Sequence, residues 1–322
     1  VLPQGHDHAS GPVGCIQVRG EYLYVAEGSR GMQAYDVASI ANKGVSQRII
    51  TAPFSPLGHD TRLESKNATC VILPTNQPIQ PSRNQGDLMR KINLEQPFHP
   101  LYQYAYVTDA QEGLILTDLD TFMDGEPRNN FLERALTWNE NGILNGARHM
   151  VLGGYYAYVA ADAGLVVLNL DKPLSPKLEA VLPLTGAHSV AQQFRYLFVT
   201  DADGLKVIDI TAPTSPQLLP QATIPMKQAY RLHLARTYAY VAAGSDGLAV
   251  IDIEKPEQPK LITLFSDGLE DSRDVTVAST NASLFAYVAD GAGGLKILQL
   301  TSPDSQPKFY GFSPEPQLEL IA

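Results

Sequence analysis

The sequence predicts an all-β array of small repeated sheets, and three observations carry that expectation. A phrase recurs: residues 238–253 read Tyr-Ala-Tyr-Val-Ala-Ala-Gly-Ser-Asp-Gly-Leu-Ala-Val-Ile-Asp-Ile, with counterparts at 196–210, 156–170 and 285–300 and looser ones at 22–37 and 104–119. The glycine that opens the second apolar stretch of each phrase keeps an even spacing, with steps of 40, 43 and 47 residues from Gly164 to Gly204, Gly247 and Gly294. Prolines then follow at a fixed place, at 173 and 176, 213 and 216, and 256 and 259. A unit this short cannot bury its apolar face alone, so stacked units must share a core. The spacing is that of propeller blades, and closing such an array into a ring removes its free sheet edges. The predicted fold is therefore an all-β β-propeller.

Residues 229–265 show how one blade arises. Leu232-His-Leu234 alternates apolar and polar as a half-buried strand does. Residues 238–242 are rich in aromatic and branched side chains, which suit a central strand. Residues 244–247, Gly-Ser-Asp-Gly, make a hairpin turn because Gly and Asp accept positive φ. Residues 248–253 return antiparallel. The prolines at 256 and 259 break the pairing, and 260–264 supply an outer strand. On this template the chain holds six blades, at 12–53, 54–140, 146–184, 186–224, 228–266 and 270–312, within a single domain spanning 1–322. A seventh, degenerate blade within 54–100 is the alternative. The step from Gly31 to Gly113 is 82 residues but contains one Tyr-Ala-Tyr-Val strand, which points to an insertion at about 74–100 after a first strand near 67–73. A second insertion, at about 122–145, carries the single tryptophan, Trp138, and has room for a short helix over 129–136. Both insertions fall in the N-terminal half. Residues 318–321 either close the ring or begin the next segment of a longer protein. The opening Val1 favours maturation or excision from a longer polypeptide.

Composition narrows the function classes. The 322 residues are 44% hydrophobic and 18% charged, which is ample for a core. A formal net charge of −10 opposes nucleic-acid binding, which needs a basic face to neutralise phosphates. No run approaches the roughly 18 apolar residues of a membrane span. The two cysteines, Cys15 and Cys70, are a candidate disulfide whose formation sequence separation does not decide. No Cys-x-x-Cys-His is present, so this segment carries no covalent c-type haem, and no cofactor is expected. Residues 67–69 and 281–283 match the N-glycosylation sequon, which acts only in a eukaryotic secreted protein.

Candidate sites come from the blade template. The first strand of a blade lines the central channel, so residues at its start ring one mouth. Alignment brings Arg148 and His149, His188 and Ser189, Tyr230 and Arg231, and Arg273 and Asp274 to equivalent places, with Arg62 as the second blade's counterpart. Converging arginines bind carboxylate or phosphate through paired hydrogen bonds. The competing reading is a water-filled channel whose arginines pair with Asp274 and nearby carbonyls. His6 and His8 form a His-x-His that would bind a divalent metal together with His59 or His99, although such an extension is commonly just solvated. Residues 201–204, Asp-Ala-Asp-Gly, look like the start of a calcium loop, but turn chemistry accounts for this place in every blade. Ser189 beside His188 lacks a nucleophile elbow, and Cys70 lies in an apolar run, so no nucleophile stands out.

The Gly-Leu-x-Val-Ile-Asp-Ile phrase resembles the LVIVD repeat. Residues 204–210 and 247–253 match it closely. Residues 164–170 and 294–300 match with Asn169 and Gln299 in place of the aspartate, while 31–37 and 113–119 match loosely. The resemblance covers about two-thirds of the chain and departs at the two insertions. It implies a β-propeller in a secreted, periplasmic or cell-surface protein and carries no catalytic residues. It also implies a protein partner, with a multihaem cytochrome or other domains of a larger surface protein as candidates. The expected function is thus a non-catalytic extracytoplasmic interaction scaffold, with a small-anion-binding or enzymatic channel mouth as the alternative. Loops on a rigid frame carry function disproportionately, so the insertions are the expected recognition elements. Phe98, Tyr102, Arg128, Phe131 and Trp138 are the expected anchors, because aromatic residues and arginine dominate interface energetics.

Overall fold

Alternating apolar strands separated by Gly- and Asp-containing turns fold into six antiparallel sheets, the blades of a six-bladed β-propeller. The computed structural model describes residues 12–37, 50–51, 61–75, 98–124, 130–280, 283–305 and 313–322. The first sheet runs β1 (Cys15–Arg19), β2 (Tyr22–Ala26), β3 (Met32–Asp36) and β4 (Ile50–Thr51), with β5 (Arg62–Leu63) also paired to β3. The second is β6 (Ala68–Ile72), β7 (Tyr104–Asp109), β8 (Gly113–Asp118) and β9 (Glu133–Trp138). The third is β10 (His149–Gly153), β11 (Tyr156–Ala161), β12 (Gly164–Asn169) and β13 (Lys177–Leu182). The fourth is β14 (Ser189–Gln193), β15 (Tyr196–Asp201), β16 (Gly204–Asp209) and β17 (Gln217–Leu218), with β18 (Ile224–Pro225) on the same side of β16. The fifth is β19 (Leu232–Ala235), β20 (Tyr238–Ala242), β21 (Leu248–Asp252) and β22 (Lys260–Phe265). The sixth is β23 (Asp274–Thr280), β24 (Ser283–Ala289), β25 (Leu295–Thr301) and β26 (Glu319–Leu320).

Three expectations change. The short helix expected over 129–136 is not present in its described part, 130–136: residues 133–138 are β9, the outer strand of the second sheet, so that strand lies inside the segment read as an insertion. The reason is a period of two, with Leu136 and Trp138 facing inward opposite Leu116 and Leu114 while the residues between them are exposed. Arg62 does not open the second blade; it sits on β5 at the outer side of the first sheet. The 318–321 segment supplies the outer strand of its own sheet, where Leu320 pairs with Leu298. The second sheet's first two strands, β6 and β7, are direct neighbours although residues 73–103 lie between them. Of that stretch, 76–97 fall outside the described residues.

The chain divides into two compact units, Val1–Ala157 with Leu168–Leu178, and Tyr158–Val167 with Glu179–Ala322. In the first unit, β1 lies beside β6, and β6 beside β10. Tyr24, Met32, Val71, Val107, Ile115 and Phe122 are buried together there. Cys15 and Cys70 are joined by a disulfide between β1 and β6, with Cα atoms 4.9 Å apart. In the second unit, β14 lies beside β19, and β19 beside β23. Phe198, Val207, Val241 and Ile251 fill one interface, and Tyr240, Val250, Val288 and Leu298 the next.

The third residue of the second strand shows how far the repeat tolerates chemistry. It is Tyr106 in β7, Phe198 in β15 and Tyr240 in β20, all buried. Tyr106 Oη donates to the Leu101 carbonyl at 3.0 Å. The Tyr240 hydroxyl is buried without a hydrogen-bond partner among the described residues, and burial pushes its pKa up. An unpaired buried hydroxyl is a desolvation cost. Tyr240→Phe should therefore leave stability unchanged or raise it by up to about 1 kcal/mol, whereas Tyr106→Phe should lower it by about 1 kcal/mol. Urea denaturation of the two variants checks both signs.

Candidate functional site

Cross-blade hydrogen bonds fix the starts of the first strands in the second unit. Thr200 Oγ1 donates to the Tyr230 carbonyl (2.6 Å) and accepts from Ser189 N (3.1 Å), tying the fourth sheet to the fifth. Arg231 N donates to the Arg273 carbonyl at 3.3 Å, tying the fifth to the sixth. The side chains form a stack. The His188 and Tyr230 rings meet edge to face at 5.4 Å, and the Arg273 guanidinium lies 4.3 Å over the Tyr230 ring. Of the sequence-predicted mouth residues, His188, Arg231 and Arg273 are thus brought together. Arg148 and His149 stand at the start of β10 in the first unit.

The electrostatics of this cluster are nearly balanced. Arg273 Nε is 2.7 Å from Asp271 Oδ1, a contact that raises the Arg273 pKa further. Arg231 is 9% exposed, and burial lowers its pKa, with Asp274 opposing that shift. Asp274 is itself raised by burial, with Arg231 pulling it back. Two guanidiniums facing two carboxylates leave little net charge to attract an anion. Arg62 is likewise engaged: Nη1 lies 3.1 Å from Glu27 Oε2 and donates to the Arg30 carbonyl at 2.9 Å.

The acidic residue closing the second strand has structural work in several sheets. Asp201 Oδ1 accepts from Asp203 N (2.9 Å) and Gly204 N (3.1 Å), closing the β15–β16 turn. Asp109 accepts from Gln111 N, Glu112 N and Asn67 N, the last fastening the turn to the lead-in of its own blade. Asp290 accepts from Glu270 N and Asp271 N in the same way. These lone pairs are committed to backbone amides, which is the turn role expected of 201–204. Among the described residues no group of three or more His, Cys, Asp or Glu is placed to hold a metal ion. His6, His8 and His59 lie outside the described residues. The His99 ring is in use on both sides, with Nδ1 accepting from Leu101 N at 3.2 Å and Nε2 lying 3.3 Å from Asp171 Oδ1.

Four of the five expected anchors can be placed. Phe98 is 53% exposed and leans edge-on against Tyr102 at 6.2 Å. Phe131 is 45% exposed, and its backbone is clamped by Thr121 Oγ1, which accepts from Phe131 N and donates to its carbonyl, both at 2.9 Å. Trp138 is half-buried on β9. Arg128 lies outside the described residues. Ser189 is fully buried and Cys70 is in the disulfide, so neither reaches a substrate. Two features escaped the sequence reading. Arg19 is almost fully buried, donating from Nη2 to the Tyr102 carbonyl and to Met123 Sδ. Phe194, at the β14–β15 hairpin, is 87% exposed, and comparing it with glycines at the same place in other blades would have revealed it.

A family model for the LVIVD repeat matches residues 10–41, 146–180, 187–221, 228–267 and 272–311, together more than half of the chain. No curated protein sequence matches. Among solved structures, the chain is similar to the β-propeller domain of Cps50 (Swd1) from Myceliophteria thermophila, at 14% identity and TM-score 0.55, over 90% of this chain and 83% of that one. It is similar to the computationally designed Ika8 protein at 9% identity and TM-score 0.53, over 92% and 72% of the two chains. It is also similar to the extracellular domain of the putative hybrid two component system BT4673 from B. thetaiotaomicron, at 13% identity and TM-score 0.53; the match covers 91% of this chain but only 32% of that one. At these identities the likeness concerns the fold. No helix among the described residues is long and apolar enough to cross a membrane.

Proposed function

The chain belongs to the LVIVD repeat family, and from that premise we propose that it is a non-catalytic interaction module working outside the cytoplasm. The observation that carries this reading is the pair Phe98 and Phe131, large aromatic side chains held outward by ordered supports rather than folded into the core. A preorganised aromatic binds at a lower entropic cost than a mobile one. The Cys15–Cys70 disulfide supports the compartment, because such bridges persist in oxidising surroundings and are rare in the reducing cytosol. The balanced His188–Tyr230–Arg273 cluster makes an anion-binding mouth the weaker reading.

The test is retention of native-source extracytoplasmic proteins on the immobilised chain and on a Phe98→Ala/Phe131→Ala double variant, quantified by mass spectrometry. Specific partners should fall by about ten-fold or more on the variant, since each anchor of this kind contributes on the order of 1–2 kcal/mol. Haem absorbance in the retained fraction would identify a cytochrome partner. An identical set of proteins retained at equal yield would overturn the assignment of these anchors.

A further inference from the structure

The first blade supports both proposed anchors, although each anchor belongs to the second. Arg19, the last residue of β1, donates from Nη2 to the Tyr102 carbonyl at 3.4 Å, and Tyr102 is the ring against which Phe98 leans. Tyr22, the cross-strand partner of Arg19, packs edge to face on Phe122 at 4.9 Å. Its hydroxyl accepts from Nδ2 of the fully buried Asn130, the residue before Phe131, at 2.8 Å. β1 and β2 therefore reach both rings across the junction that the Cys15–Cys70 bridge spans.

That junction buries an uncompensated charge. Arg19 is 2% exposed, its Nη2 meets the Tyr102 carbonyl and Met123 Sδ, and its Nη1 has no hydrogen-bond partner among the described residues. No carboxylate of the described residues pairs with it, and burial lowers its pKa. A guanidinium without a counter-ion forfeits its hydration for as long as the two blades stay closed. Opposing it are the packing of Tyr24 and Val71, the paired backbones of Gly28 and Ala68, a bond from Leu73 N to Gln17 Oε1 at 2.9 Å, and the disulfide. Of these, the disulfide alone can be switched by chemistry. Cys70 is 1% exposed, whereas Cys15 is half-buried between the exposed Val13 and Ile16, so an incoming thiolate reaches Cys15 Sγ first.

We infer that the Cys15–Cys70 bridge is a redox latch on the proposed recognition surface: once a dithiol reduces it, the first blade lifts from the second and withdraws the supports of Phe98 and Phe131. The thiolate of the dithiol attacks Cys15 Sγ, the S–S bond breaks, and Cys70 leaves as a thiolate that takes up a proton. The second thiol of the reductant then displaces Cys15 and closes the reductant's own disulfide, so two electrons pass to the bridge. Val71 N donates to Cys15 Sγ at 3.0 Å, which favours Cys15 as the departing thiolate in that last step. The hydration that Arg19 regains then favours the open junction. This latch rests on the reading of Phe98 and Phe131 as anchors for its consequence, but the opening itself is measured without a partner, so the two fail separately.

The experiment reduces the full chain with dithiothreitol, removes the reductant and labels Cys70 with iodoacetamide across sub-denaturing urea. Buried Cys70 labels only when β1 leaves β6 or when the whole chain unfolds, and urea separates the two because its effect scales with the surface exposed. Without urea, labelling should be at least about ten-fold faster than the measured unfolding equilibrium allows, and nearly flat as urea rises. Arg19→Met, which removes the buried charge and keeps the bulk, should slow it by about ten-fold. In the labelled chain, hydrogen exchange should show lost protection at 98–103 and 130–138 with β20 and β21 still protected. Labelling that follows global unfolding in urea overturns the inference, as does a rate that Arg19→Met leaves unchanged. So does a labelled chain that keeps its protection at 98–103 and 130–138.

Discussion

Replacing both bridge cysteines, Cys15→Ser with Cys70→Ser, should lower the unfolding free energy by roughly 4 kcal/mol. The bridge closes a loop with a sequence separation of 55 residues, and opening it returns that loop's conformational freedom to the unfolded chain. The location sharpens the effect. Cys15 and Cys70 lie on β1 and β6, so the bridge joins two blades that also meet through packing such as Tyr24 and Val71 and through the paired backbones of Gly28 and Ala68. Guanidinium denaturation of the wild type with and without dithiothreitol, beside the double variant, measures it. Reduced wild type and variant should coincide, and a loss below about 1 kcal/mol would mean that packing and the remaining hydrogen bonds hold β1 against β6 without the bridge.

A single added methyl should be nearly as costly at Gly247. This glycine opens β21 with φ +82°, and a Cβ there would overlap the carbonyl oxygen of Phe265, the last residue of the outer strand β22. The outer strand passes directly over the glycine Cα, and backbone cannot swing aside as a side chain can. Gly247→Ala should cost roughly 3 kcal/mol, combining overpacking with a left-handed alanine. Gly294 holds the corresponding place in the sixth sheet at φ +78°, yet a Cβ there meets nothing within 4 Å. Gly294→Ala should therefore cost less, about 2 kcal/mol from the backbone alone, because φ 78° with ψ −143° is a conformation open essentially to glycine. Equal losses in the two variants would show that φ, and not the passing strand, explains the repeat glycine.

The repeat was legible because period-two alternation and turn glycines are local properties. Strands β19 to β22 fall within a residue or two of where 232–264 place them by pattern alone. Where pattern was weak, the reading slipped. Residues 133–138 carry Glu, Arg and Thr among their six positions, so their strand character depends on pairing with β8, which sequence does not display. Arg62 was assigned to a channel position on a first strand, yet pairing with Gln33 on β3 makes 62–63 an outer strand.

Site chemistry divides along the same line. Sequence could place His188, Tyr230, Arg231 and Arg273 at equivalent strand starts, because equal register is a consequence of the repeat. It could not show that Asp271 and Asp274 balance the arginines, since that depends on distances between blades. Nor could it decide the Cys15–Cys70 bridge, which exists because β1 and β6 come side by side as the first strands of adjacent blades. The blade, its turns and its period are set by neighbouring residues, and so they stand in the sequence. Which charges cancel, which cysteines join and which aromatic rings stay in water was settled by tertiary contacts, because those outcomes depend on groups that the chain brings together from far apart.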